Sequence, residues 1–181
     1  MTWHWAHQAA LDCDPWFEPE TEWHRSWKAL ASDERVEVVM GDHRADIVSR
    51  EGTVVELQHS SISVEDIRAR ESYYRRMVWL IDGSAFAENF RVTLDGDSAR
   101  FVWAHSRPAW LAARCPKFIH GFSIGRYVRQ VIPPVKRPRW VWSETGRSES
   151  LFQIRTLTVG RRVEGTGRII EVARFIERLI A

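Results

Sequence analysis

The sequence predicts an α/β fold in which helices flank a central mixed β-sheet. A hairpin of β-branched and aliphatic residues spans residues 44–58, with its turn at 50–52. A helical segment follows the hairpin, and an aliphatic strand at 77–81 comes after that helix. A strand, a helix and a second strand in this order favour a parallel crossover. The sheet is therefore predicted to combine an antiparallel hairpin with a parallel strand.

Two elements are predicted before the hairpin. A helix covers residues 20–31, because Trp23, Trp27 and Leu30 recur at i, i+4 and i+7 and form an apolar stripe. Residues 36–40 are rich in valine and form the first strand. The hairpin is thus preceded by one helix and one strand.

Shorter sequence patterns predict the helices and strands in the remainder of the chain. Ser63 is a favourable N-cap for the helix after the hairpin, which runs to about residue 76 and has acidic residues in its first turn. An apolar face predicts a last helix that begins near residue 167. The other predicted elements are strands at 101–105, 117–122 and 151–159, and loops at 133–138 and 160–167.

Length and composition favour one globular domain. The chain has 181 residues, of which 44% are hydrophobic and 28% are charged, so it can bury a sizeable core. We divide it into an N-terminal arm, residues 1–19, and a single domain, residues 20–181. The domain has its core motifs at 20–82 and a basic half at 91–181.

The sequence also bears on the cellular location. No apolar run reaches the ~20 residues of a membrane span, and the chain does not begin with a signal-peptide pattern. Cys13 and Cys115 are far apart and form no CxxC pair. These features favour a cytoplasmic protein without a disulfide framework.

Charge is distributed unevenly along the chain. Residues 1–90 contain 9 Lys and Arg against 17 Asp and Glu, whereas residues 91–181 contain 17 against 7. The net charge of +2 therefore hides an acidic half and a basic half. This division fits a metal-binding centre beside a polyanion-binding surface. Arginine-rich composition without a binding role is the alternative.

The hairpin is the most informative segment for function. A turn centred on residue 51 places Asp46 opposite Glu56, and Arg44 opposite Gln58. Because side chains alternate with period two, all four share one face of the hairpin. Two carboxylates on directly opposed residues repel each other unless a cation lies between them. A divalent-metal site is one interpretation, and a solvated outer face is the other.

Several short motifs occur together in one order. The order of helix, strand, hairpin with D…E-x-Q, helix and strand is similar to the core of the PD-(D/E)xK nucleases. The chain more closely resembles the competence protein CoiA-like nuclease family within that superfamily. The motifs are W-H-W-A-H at 3–7, E-x-H-x-x-x-K at 22–28, R-A-D-I at 44–47, E-L-Q-H-S at 56–60, I-S at 62–63 with Arg70 and Tyr74 after it, and M-V-W-L-I at 77–81.

The resemblance implies a PD-(D/E)xK restriction-endonuclease-like core and a magnesium or manganese ion. Asp46, Glu56 and the carbonyl of Leu57 would bind the metal, which suits oxygen ligands. Gln58 would orient the attacking water, and Glu22 is a further catalytic candidate.

Two features depart from the pattern of the resembled family. The cysteine-bearing zinc-ribbon segment that usually precedes the first motif is absent from this sequence. Gln58 also stands where the broader superfamily has lysine, and an amide cannot supply a positive charge. Arg44, which is predicted to lie opposite Gln58, is a candidate for that charge.

Several basic side chains are candidate DNA contacts. A basic segment interleaved with aromatic residues, 136–142, can follow phosphates and stack on bases. The candidates are Arg44, His24, Lys28, Arg70, Lys136, Arg137 and Arg139.

The sequence therefore predicts a divalent-metal-dependent deoxyribonuclease whose partner is DNA. A nuclease fold that binds DNA without cleaving it is the first alternative, and a structural or regulatory domain that binds a protein is the second. A role in competence follows only from the name of the resembled family, and a homo-oligomer is left open.

Overall fold

The computed structural model describes residues 16, 18–96, 98–106, 109–131 and 138–181. Within this part of the chain the fold is α/β, with one large mixed sheet flanked by a few helices. The strands are β1 (Val36–Met40), β2 (His43–Val48), β3 (Val54–Gln58), β4 (Met77–Asp82), β5 (Phe90–Asp95), β6 (Ser98–Trp103), β7 (Lys117–His120), β8 (Ser123–Val131), β9 (Pro138–Arg147), β10 (Leu151–Val159) and β11 (Val163–Ile170). The helices are α1 (Glu22–Lys28), α2 (Val64–Tyr74), α3 (Ala109–Ala112) and α4 (Val172–Leu179), with 3₁₀ turns at Asp33–Arg35 and Ser84–Phe86.

The eleven strands form one sheet in the order β1-β2-β3-β4-β7-β10-β11-β6-β5-β8-β9. β3, β4 and β7 are parallel neighbours, and β2 is antiparallel to β3. The predicted crossover through α2 is therefore confirmed. Ser63 caps this helix, since its hydroxyl accepts a hydrogen bond from the Asp66 backbone N–H at 3.0 Å.

Two apolar clusters lie on the two faces of the parallel strands. In one cluster, Ile67 of α2 packs with Val54 and Trp79. In the other, Trp27 of α1 and Phe175 of α4 pack with strand residues that include Val55, Leu57 and Leu80. The alternation of Val54 and Val55 between the clusters follows from the period-two geometry of strands. Helices on both faces explain why β3 and β4 are buried along their whole length.

The C-terminal prediction was wrong for residues 163–170, whereas 160–162 do form a connection between strands. Residues 163–170 form strand β11, which pairs with both β10 and β6, and helix α4 begins only at Val172. Two glycines of β11 lie where β10 approaches closely. A Cβ at Gly165 would collide with the Thr156 carbonyl, and one at Gly167 would collide with the Gln153 carbonyl.

Other boundaries also differ from the predictions. α1 is shorter than predicted and ends at Lys28, so that Leu30 lies outside it and is exposed. β5, β8 and β9 were not predicted at all. No helix in the described residues has the length and apolar character needed to cross a bilayer.

Candidate functional site

The β2–β3 hairpin has the predicted register over its two ladder pairs, and the ladder does not reach Arg44 and Gln58, which were predicted to be opposed. Ile47 pairs with Val55, and Val48 pairs with Val54, so the next residues along the two strands, Asp46 and Glu56, face each other. The turn closes tightly, with the Ser49 N–H donating to the Thr53 carbonyl at 2.9 Å. This register places two carboxylates where β2 and β3 end their ladder.

Where the β2–β3 ladder ends, carboxylate oxygens replace backbone carbonyls as hydrogen-bond acceptors. The Leu57 N–H donates to Asp46 Oδ2 at 2.9 Å, and the Asp46 N–H lies 3.4 Å from Glu56 Oε1. In regular antiparallel pairing, backbone carbonyls would accept these bonds. The two strands therefore open around the acidic pair, and the Leu57 backbone lies at the same opening.

Lys28 connects α1 to the acidic pair. Its Nζ lies 3.0 Å from Asp46 Oδ1 and 2.9 Å from Glu20 Oε1, and it also contacts Glu37. Burial disfavours the charged ammonium, but Asp46, Glu37 and Glu20 outweigh burial and raise the pKa of Lys28 above its ordinary value. Glu37 has a positive φ of 54° at the β1 position opposite Asp46, which marks a distortion of the sheet beside the site.

Arg70 of α2 is the partner of Glu56. Its Nη1 donates to Glu56 Oε2 at 2.9 Å, and its Nη2 donates to the Trp16 carbonyl at 2.9 Å. The guanidinium carbon lies 5.5 Å from the Trp16 ring centroid and 6.0 Å from that of Trp79. Glu56 and Arg70 are therefore a buried ion pair, with side chains 3% and 7% exposed.

The acidic pair holds its protons more tightly than isolated carboxylates do. Burial, reinforced by the negative charge of Asp46, raises the pKa of Glu56 to about 8. Burial also raises the pKa of Asp46, although Lys28 pulls in the opposite direction. Such close neighbours titrate as a pair rather than as two independent carboxyl groups.

Gln58 follows Glu56 on the same side of β3. Its Nε2 donates to Glu18 and lies 3.5 Å from the Ser60 hydroxyl oxygen. Its Oε1 is buried and has no hydrogen-bond partner among the described residues. The amide oxygen of Gln58 is therefore an unused acceptor beside the carboxylates.

The structure places the other predicted residues in different ways. Glu22 is exposed in the first turn of α1, and Glu20 instead contacts Lys28. Arg44 is exposed, with Nη1 3.7 Å from Glu37 Oε2. His24 is buried and forms a capping box with Thr21. Lys136, Arg137 and the side chain of Arg139 lie outside the described part of the chain, as does the 3–7 motif.

Sequence reasoning missed three carboxylates of this cluster. Glu37 could have been found, because counting back along β1 places it opposite Asp46. Glu18 and Glu20 gave no such signal, since their positions depend on how the chain before α1 lies across the sheet. A second pair was also missed: His59 Nδ1 lies 2.7 Å from Asp82 Oδ2 at the ends of β3 and β4.

The described residues contain no group of three or more His, Cys, Asp or Glu side chains arranged to hold a metal ion. The comparisons with known proteins add no assignment: no family model, curated protein or solved structure matches this chain. Fold and site together define an α/β protein with an acidic pair on the adjacent strands β2 and β3.

Proposed function

We propose that this chain is a divalent-metal-dependent nuclease that hydrolyses DNA phosphodiester bonds. The observation that carries the proposal is the pairing of Asp46 with Glu56 at the opening of the β2–β3 ladder. The ordered motifs that resemble the CoiA-like nucleases place their acidic residues at these two positions. The proposal includes a PD-(D/E)xK-like core made of the hairpin, α2 and β4.

The donor set fits magnesium or manganese. Lys28 contacts Glu20, Glu37 and Asp46, and Arg70 contacts Glu56. With Glu18, which accepts from Gln58, five carboxylates lie near two cations, an excess of three negative charges when all are ionised. Mg²⁺ commonly uses one or two protein carboxylates and keeps several waters, so it does not require a cluster of three acidic ligands. Asp46, Glu56 and the Leu57 carbonyl would hold the ion.

The bound ion would lower the pKa of a coordinated water and neutralise charge on the phosphate. The protein's own groups have separate roles. Gln58 would accept a hydrogen bond from the attacking water through its unused Oε1 and fix the direction of attack.

Lys28 is our candidate for the positive charge that Gln58 does not supply. In the sequence, Arg44 was the candidate, but Arg44 is exposed, whereas the Lys28 Nζ is buried 3.0 Å from Asp46. A fixed ammonium in a poorly hydrated site would stabilise negative charge that develops on the phosphate during cleavage.

A DNA-binding module without cleavage is the second candidate. It is favoured by the internal ion pairs, because Lys28 and Arg70 already neutralise part of the acidic pair. In that case Asp46 and Glu56 would anchor α1 and α2 to the sheet through Lys28 and Arg70. A metal would then have no catalytic effect.

A cleavage assay tests the two candidates. Linear, circular and single-stranded DNA are incubated with wild type, Asp46→Ala, Glu56→Ala and the control Glu51→Ala, in Mg²⁺, Mn²⁺ or EDTA. Glu51 is an exposed carboxylate and serves as a matched control. We expect metal-dependent cleavage by wild type and Glu51→Ala only. Salt-sensitive DNA binding without cleavage in any metal would support the second candidate.

A further inference from the structure

A recess lies where the segment before β7 meets strand β10. It has a volume of about 320 Å³, and its lining includes Cys115, Lys117, Ile154 and Leu157. Lys117 and Ile154 are opposed in the antiparallel pairing of β7 with β10, so their side chains lie on the same face of the sheet. A volume of this size lies at the lower end of the range of small-molecule sites. The recess therefore has room for a small organic molecule beside Lys117.

Lys117 is a buried lysine that forms no ion pair with a described residue. It is 7% exposed, and its Nζ donates one hydrogen bond, to the Ala113 carbonyl at 2.6 Å. Lys28, the other lysine that the structure describes, instead contacts three carboxylates. Because burial of an ammonium without an ion-pair partner is unfavourable, the surroundings of Lys117 favour its neutral amine.

Glu71 is the carboxylate whose charge acts on Lys117, but its oxygens are engaged elsewhere. They accept hydrogen bonds from Trp79 Nε1 and from the backbone N–H groups of Arg114 and Cys115, at 2.9–3.0 Å. Burial lowers the pKa of Lys117, although the negative charge of Glu71 acts in the opposite direction. Burial and Glu71 both raise the pKa of Cys115, to about 11, so its thiol is protonated at neutral pH. The amine is therefore the available nucleophile of this recess.

Two arginines bring positive charge to the recess. Arg114 and Arg155 line it, and its described lining residues include no Asp or Glu. A guanidinium binds a carboxylate or a phosphate through parallel N–H donors. The recess thus combines an amine with groups that attract the acidic group of a ligand.

We propose that Lys117 forms an imine with a small aldehyde that carries an acidic group, a carboxylate or a phosphate. Lysines in desolvated pockets form such adducts with carbonyl compounds. The neutral Nζ adds to the aldehyde carbon, the carbonyl oxygen takes up both N–H protons and leaves as water, and a C=N bond replaces the C=O bond. The step consumes no oxidant or reductant.

The imine suits the contacts that Lys117 already makes. A protonated imine retains one N–H, which preserves a donor for the Ala113 carbonyl. The recess involves β7 and β10, whereas the acidic pair lies on β2 and β3. The inference therefore goes beyond the proposed function and does not depend on it.

Reductive trapping followed by peptide mass spectrometry tests the proposal. The sequence contains three lysines, Lys28, Lys117 and Lys136, so the other two serve as internal references. The folded protein is incubated at neutral pH with glyoxylate, glycolaldehyde phosphate or propanal, and cyanoborohydride reduces each imine to a stable amine. We expect at least tenfold more adduct on Lys117 than on either other lysine with one or both acidic aldehydes. Protein unfolded in urea should lose this preference.

A double variant tests the contribution of the arginines. Arg114→Gln with Arg155→Gln is compared with Arg100→Gln and Arg162→Gln, which removes two arginines that pair with carboxylates outside the recess. The recess variant should lower the adduct of the preferred acidic aldehyde on Lys117 at least fivefold and leave the propanal adduct within twofold. The control variant should change neither adduct.

Two results would overturn the inference. Adduct on Lys117 no greater than on Lys28 and Lys136 would leave Lys117 only its structural bond to the Ala113 carbonyl. Equal labelling of Lys117 by propanal and by both acidic aldehydes would contradict the class of ligand. If the recess variant does not fold by circular dichroism, the single variant Arg155→Gln replaces it. Since the adduct forms without metal or DNA, failure of this test is distinguishable from failure of the nuclease assay.

Discussion

Arg70 illustrates how single residues maintain the acidic pair. It is buried with Glu56, and its second Nη atom fixes the backbone of Trp16. Removing one member of a buried ion pair leaves the other charge without compensation, whereas removing both members is much less costly. The stabilising role of Arg70 therefore depends on the presence of the Glu56 carboxylate.

We predict that Arg70→Met lowers the free energy of unfolding by about 3 kcal/mol, because it leaves Glu56 buried without its cation. Chemical denaturation at pH 8 measures this loss. The double variant Arg70→Met, Glu56→Gln should recover at least half of it. A single variant as stable as wild type would show that the pair contributes nothing.

A second prediction about a single residue concerns Lys28 and the rate of catalysis. If its ammonium stabilises charge in the transition state, Lys28→Met should lower kcat by about 10²-fold while Mn²⁺ still binds. Single-turnover cleavage and Mn²⁺ binding are measured on the same preparation, with Ser26→Ala of the same helix as control. An unchanged kcat would assign Lys28 a purely structural role.

Strand β11 shows the importance of glycine at the scale of an element. Gly165 and Gly167 lie where β10 approaches so closely that a side chain has no room. We predict that Gly165→Ala lowers the free energy of unfolding by about 1–3 kcal/mol, through overpacking against the Thr156 carbonyl. Thermal or urea unfolding measures the change.

Gly160→Ala is the matched control, because a Cβ there would have its nearest contact at 3.9 Å, an ordinary distance. It should unfold within about 0.5 kcal/mol of wild type. Equal stability of Gly165→Ala and Gly160→Ala would contradict the close strand approach.

Local signals were sufficient for some elements. The turn at Gly52 and the apolar alternation fixed the register of the hairpin, and an N-cap with acidic neighbours located the start of α2. They were insufficient for β11, since glycine in a loop and glycine at a close approach look alike in one sequence. The contact between Lys28 and Asp46 could not be predicted from the sequence either, because it depends on how α1 packs on the sheet.

At the scale of the whole molecule, the uneven charge of the sequence has a structural counterpart. The acidic pair lies in the half of the chain with 17 Asp and Glu against 9 Lys and Arg. Arg168, Arg174 and Arg178, which line one recess beside α4, belong to the basic half. The acidic pair and this group of arginines therefore come from different halves of the chain.

The pH dependence of stability follows from Glu56. Its pKa is about 8 in the folded protein against an ordinary value of 4.5, so the folded state binds more protons between these values and stability falls as the pH rises. Burial lowers the pKa of His120, so the folded state binds fewer protons at this residue than the unfolded state does. Its contribution to stability therefore rises with pH up to the ordinary pKa of 6.5. Between about pH 6.5 and 8 the Glu56 effect should therefore dominate.

We predict that Tm in EDTA falls from pH 6.5 to pH 8 in wild type, and that Glu56→Gln removes most of this fall. Added Mn²⁺ should raise the Tm of wild type more at pH 8 than at pH 6.5, because the metal competes with a proton for Glu56. Differential scanning calorimetry measures both effects. A wild-type Tm that rises with pH in this window would contradict the assignment.

The most direct test of the acidic pair as a metal site is a Mn²⁺ titration followed by electron paramagnetic resonance of the free ion. Wild type and Glu51→Ala should bind one Mn²⁺ with the same affinity, whereas Asp46→Ala and Glu56→Ala should bind it at least tenfold more weakly. Equal Mn²⁺ affinity in all four proteins would contradict the claim that Asp46 and Glu56 hold the metal.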